Sequence, residues 1–76
     1  MAGTELASLL AAYGYRQSRQ SGSHMRLVSA LRGAEHHITI PAHGTLRVGT
    51  LASILNEVAR YLEIERDELA RQLFGG

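Results

Sequence analysis

Between Met25 and Ile40 apolar side chains return at alternate positions, first Met25 and Leu27, then Ile38 and Ile40, with the chain's single proline, Pro41, directly after. Alternation sends successive side chains to opposite sides of an extended backbone, so each run has one face for a core and one for water. A sheet of this kind must be covered on its apolar face and can stay open on the other. The flanking segments supply the cover. Leu6, Leu9, Leu10 and Tyr13 recur at helical spacing, with Thr4 as a candidate N-cap and Gly14 placed to end the helix. Leu51, Ile54, Leu55, Val58 and Leu62 mark a stronger amphipathic helix beginning near Gly49-Thr50, and Leu69, Leu73 and Phe74 suggest a short terminal one.

A first strand is expected over Tyr15 to Arg19, joined through a tight connection at Gly22 to Met25-Arg26-Leu27. A second turn at Arg32-Gly33-Ala34 leads into a third strand, Glu35 to Ile40, stopped by Pro41 and followed by a loop from Ala42 to Val48. The expected fold class is therefore α+β, in the order α-β-β-β-α. Three antiparallel strands carry helices packed on one face, with a short C-terminal helix added, in a single domain over residues 1–76.

Size and composition narrow the class. A chain of 76 residues is near the lower size at which one core stands alone. With 45% apolar and 20% charged residues it is globular in composition rather than disordered. The absence of cysteine removes disulfides and thiolate metal ligation as sources of stability. No apolar run reaches membrane-spanning length, so no membrane partner is expected and a cytoplasmic location is the default.

Charge is unevenly distributed. Residues 1–50 hold five arginines (Arg16, Arg19, Arg26, Arg32 and Arg47) against Glu5 and Glu35, a balance of +3, whereas residues 51–76 balance at −2. All eight cationic side chains are arginine, a type suited to bidentate phosphate contact, although genome composition also produces such a bias. The basic half holds the strands, which points towards a polyanion partner.

If Met25, Leu27, Ile38 and Ile40 face inward, alternation turns His24, Arg26, His37 and Thr39 outward onto the open face. Imidazole, with an ordinary pKa of about 6.5, accepts and returns protons near neutrality, so histidines there are candidates for acid–base work. His24 follows Gly22-Ser23 at a turn-to-strand junction; read alone, it is equally an idle polar residue at a strand start. Gly-Ser-His-Met also occurs as a remnant of cleaved tags, but here it lies inside a continuous pattern. His37 is a candidate acid if it lies beside His24 across the hairpin, and otherwise an ordinary strand residue. His36 shares the face of Ile38 and Ile40, where partial burial is the plain reading, and His43 either shapes its loop or touches RNA. A metal site of His36, His37 and His43 is disfavoured because no carboxylate or thiolate falls at ligand spacing. Gly49 and Thr50, at the start of the long helix, offer free N–H groups to a phosphate, with Arg47 beside them. Tyr15 is the only aromatic expected in a strand, which argues against a base-stacking sheet and for recognition by backbone and shape.

Four pieces in order carry a family resemblance: Tyr13-Gly14-Tyr15; Arg19-Gln20-Ser21-Gly22-Ser23-His24; Ile38-Thr39-Ile40-Pro41-Ala42-His43-Gly44; and Gly49-Thr50-Leu51 with Ile54-Leu55. Together they resemble the HicA family of toxins, small mRNA interferases whose fold is similar to the double-stranded-RNA-binding domain. The resemblance is weakest after Val58. It implies a toxin of a type II toxin–antitoxin system: an endoribonuclease cutting mRNA without metal or other cofactor and neutralised by a HicB-type antitoxin. It also implies one functional histidine in Gly-Ser-His, here His24. Ser23, Arg26, His37, Arg47, Gly49 and Thr50 are the expected RNA contacts. The chain departs from the family pattern in having Thr4 where lysine is frequent. Its Ala59–Asp67 segment is also longer than the usual glycine-containing link between the last helices. A non-catalytic RNA-binding domain of the same shape is the alternative reading.

Overall fold

A computed structural model describes residues 1–75. The elements are α1 (Gly3–Leu10) with a 3-10 turn at Ala11–Tyr13, then β1 (Arg16–Ser21), β2 (His24–Ser29), β3 (His36–Pro41), α2 (Val48–Leu62) and α3 (Arg66–Phe74). The fold is α+β in the expected order, a three-stranded antiparallel sheet with helices and a further C-terminal helix. The chain forms two compact units, Met1–Leu46 and Arg47–Gly76. Among the described residues no helix is long and apolar enough to cross a membrane.

In the first unit the sheet has the order β1-β2-β3, antiparallel throughout. Met25 pairs with Ile40 and Leu27 with Ile38, so four buried aliphatic side chains meet on one face. Each contributes roughly 1.5–3 kcal/mol when fully removed from water. Helix α1 lies against β1 and β3 and buries Leu6 and Leu10. The alternation then leaves His24, Arg26, His37 and Thr39 exposed on the other face, as the sequence pattern requires.

Several boundaries differ from the sequence reading, and β1 runs Arg16–Ser21 in place of the expected Tyr15 to Arg19. Thr4 is not the N-cap of α1; Ala2 is, and its N–H donates to the Glu5 carboxylate at 2.8 Å. The helix starts at Gly3 because a Cβ there would lie 1.8 Å from the Pro41 carbonyl oxygen, so only glycine lets the helix end approach β3. Pro41 does not stand outside the strand but is its last residue, paired with His24. Lacking an N–H, proline is tolerated there because β3 is an edge strand.

Strand β1, Arg-Gln-Ser-Arg-Gln-Ser, buries none of its six side chains. Tyr15 precedes it and is buried, its hydroxyl 2.7 Å from Nδ1 of the half-buried His36. The bland reading of His36 is therefore the observed one.

In the second unit α2 buries the stripe Ile54, Leu55, Val58, Ala59 and Leu62, and α3 buries Leu69 and Leu73. Helix α2 begins at Val48, just ahead of the expected Gly49-Thr50, with Arg47 as an N-cap lacking a side-chain hydrogen bond. The long link expected over Ala59–Asp67 is mostly helix, and only Glu63–Glu65 separate α2 from α3. Glu63 takes the left-handed conformation (φ 60°) that glycine usually provides. The N–H of Ile64 reaches the Ala59 carbonyl at 3.0 Å and that of Glu63 the Arg60 carbonyl at 3.2 Å, the paired bonds of a Schellman motif.

Candidate functional site

The hairpin joining β1 and β2 has a two-residue turn, Gly22-Ser23, closed by the pair Ser21 and His24. Of the two turn residues only Gly22 has positive φ (59°), the requirement of a type II′ turn, whose twist matches that of the flanking strands. His24 is thus the first residue of β2, exposed and on the open face. Its imidazole makes no hydrogen bond or ion pair among the described residues. The N–H of Ala42 donates to the Ser23 carbonyl at 2.6 Å, tying the turn to the end of β3 and bringing the chain at His43 to the same end of the sheet. A bridge between Ala2 and Thr45 and a 2.8 Å bond from the Leu46 N–H to the Met1 carbonyl hold the loop that follows.

Register decides which histidines cooperate. His37 pairs with Val28, not with the neighbourhood of His24. Four residues of strand separate His24 from Val28, about 13 Å, too far for both imidazoles to serve one phosphate. The expectation that His37 lies beside His24 is corrected on this ground.

His37 instead joins Ser18, Arg19 and Arg26 around an open pocket of about 260 Å³. Sequence reading named Arg26 and His37 but missed Ser18 and Arg19. A β-bulge between Gln17 and Arg19 is the reason: Gln17 pairs with Leu27, and Arg19 with Arg26, the very next residue back along β2. The extra residue puts Arg19 on the open face, where strict alternation from Gln17 would have turned it inward. The Ser18 hydroxyl donates to the Arg26 carbonyl at 3.3 Å and secures the bulge. Neither Arg19 nor Arg26 has an ion-pair partner among the described residues, while His37 lies 3.4 Å from the Glu35 carboxylate. A strand of polar residues alone carries no mark of a bulge, so nothing in the sequence could have announced it.

Arg47, Gly49 and Thr50 belong to the second unit, in the first turn of α2. The Arg47 carbonyl accepts the Leu51 N–H at 2.9 Å, so the N–H groups of Val48, Gly49 and Thr50 precede the first intrahelical bond. They form the positive end of a 15-residue helix, with the exposed Arg47 beside it. The strands hold no Phe, Tyr or Trp. Among the described residues, no three His, Cys, Asp or Glu side chains gather as a metal site would need.

An open sheet face bearing arginine and histidine, with no acidic side chain and no Phe, Tyr or Trp in its strands, is a surface of the polyanion-binding class. Residues 3–59 match the family described as the HicA toxin of bacterial toxin–antitoxin systems, and the chain belongs to that family. The matched range ends inside α2, close to where the sequence resemblance fades. No curated protein and no solved structure gives a match.

Proposed function

We propose that this toxin is an endoribonuclease that cuts mRNA, with His24 as its acid–base residue, and that a HicB-type antitoxin neutralises it by covering the same face. The observation that carries the reading is the placement of an unengaged imidazole at the turn end of the β1–β2 hairpin, two residues from Arg26 on one open face. Neutral His24 takes the proton of a ribose 2′-hydroxyl as its oxygen bonds to the adjacent phosphorus. The imidazolium then returns that proton to the 5′-oxygen as the P–O5′ bond breaks, leaving a 2′,3′-cyclic phosphate and a free 5′-hydroxyl. One imidazole serves both steps, in keeping with the distance to His37. Ser23 and Arg26 beside it, and Arg47, Gly49 and Thr50 on the second unit, contact the RNA backbone. Contact with the backbone in place of a base-stacking sheet fits strands that lack Phe, Tyr and Trp.

The test is single-turnover cleavage of one structured mRNA, in EDTA, by the wild type and His24→Ala. The wild type is expected to yield 2′,3′-cyclic phosphate ends, and the variant to be slower by about 10²–10⁴-fold with an unchanged thermal midpoint. Cleavage by the variant at the wild-type rate would overturn the assignment of His24. Binding without cleavage by either protein would favour the non-catalytic alternative.

A further inference from the structure

Arg19 and Arg26 face each other directly across β1 and β2, and like charges so placed repel. A bulge, itself an interruption of the ladder, is what brings Arg19 to that position. Among the described residues no carboxylate forms an ion pair with either arginine, and Glu35 lies beside His37 at 3.4 Å. Two guanidinium groups and an imidazole then converge on one open pocket of about 260 Å³, which Ser18, its hydroxyl donating to the Arg26 carbonyl, also lines. Guanidinium forks match the oxygens of a phosphate in bidentate geometry, and a phosphate between the two arginines would turn their repulsion into shared attraction.

We infer that the pocket formed by Ser18, Arg19, Arg26 and His37 is a subsite for a single RNA backbone phosphate, the neighbour of the one cut at His24. The inference rests on the reading of His24 given above. Arg26 lies two residues from His24 along the same face, about 6.8 Å, close to the spacing of successive phosphates along a nucleic-acid strand. The subsite reads charge and not base identity, because only the phosphate enters it. It aligns the strand so that the next linkage along arrives at His24. Arg19 is therefore a positioning residue that acts by holding the substrate.

The experiment uses the full chain and uncleavable 2′-O-methyl oligonucleotides of one sequence, in which single phosphates are replaced in turn by uncharged methylphosphonates. Affinity is measured by fluorescence anisotropy for the wild type and for Arg19→Gln with Arg26→Gln combined. One methylphosphonate position is expected to weaken wild-type binding several-fold and to leave the double variant unaffected, with Arg19→Gln alone giving an intermediate loss. Arg19→Gln should also keep or raise the thermal midpoint, since it removes a repulsion, so loss of binding is not loss of fold. In cleavage of a short substrate the same variant should raise KM and spare kcat. Equal sensitivity of wild type and double variant at every position would overturn the subsite, as would loss of antitoxin binding alone with RNA affinity intact. The two readings fail separately: His24→Ala that still cuts removes the catalytic assignment and leaves the phosphate coupling to stand, whereas absent coupling with inactive His24→Ala removes only the subsite.

Discussion

Ser29 is the one polar side chain buried in the core of the described residues, and it binds the first unit together at a point no pattern marks. Its hydroxyl donates to the Tyr13 carbonyl at 2.8 Å and accepts the Leu31 N–H at 3.2 Å, joining the turn before β1 to the end of β2. Ser29→Ala removes both bonds, each worth about 0.5–1.5 kcal/mol net. It should cost about 1–3 kcal/mol in urea denaturation, whereas Thr39→Ala on the open face should stay within about 0.5 kcal/mol. Ser29 was illegible because its partner is 16 residues away and a serine at a strand end reads as a turn residue. His24 was legible for the opposite reason. Its turn, its strand and its face all follow from neighbours within four positions. Arg19 stands between these cases: the residue type is visible, but its face depends on a bulge.

At the scale of elements, alternation located β2 and β3 and assigned their faces correctly, because apolar burial fixes register. It had nothing to say about β1, where all six side chains are exposed. Helix starts were the other weak point. Ala2 and Arg47 cap α1 and α2 without side-chain bonds, so the usual capping residues were absent from the places they should mark. The end of α2 was hidden similarly, since Glu63 occupies a left-handed position that sequence reading assigns to glycine. A side chain there costs about 1 kcal/mol relative to glycine. Glu63→Gly should therefore stabilise the chain by about 0.5–1 kcal/mol and raise its thermal midpoint by a few degrees. A lower midpoint would show that the Glu63 side chain contributes more than its backbone strain removes.

Across the whole molecule the net charge of +1 conceals a basic stretch over residues 1–50 and an acidic one beyond. RNA binding should weaken with salt in proportion to the phosphates contacted, with a slope of about 0.7 per contact for a single strand. Arg47→Gln should lower that slope by about this amount and weaken different RNA sequences equally, while Glu65→Gln in the link before α3 should leave it unchanged. A slope unaltered by Arg47→Gln would remove the start of α2 from the interface and confine the contacts to the sheet unit.

The polar strand β1 has a consequence in evolutionary terms. A strand that contributes no side chain to the core is released from the constraint that holds β2 and β3 in place. Its six positions can drift or be selected without threatening the fold, provided the hairpin turn and the bulge persist. Lineages of such a toxin can therefore diverge along this strand while remaining the same protein underneath. An inhibitor that covers this strand must follow each change, and the pairing of toxin and inhibitor becomes private to its lineage.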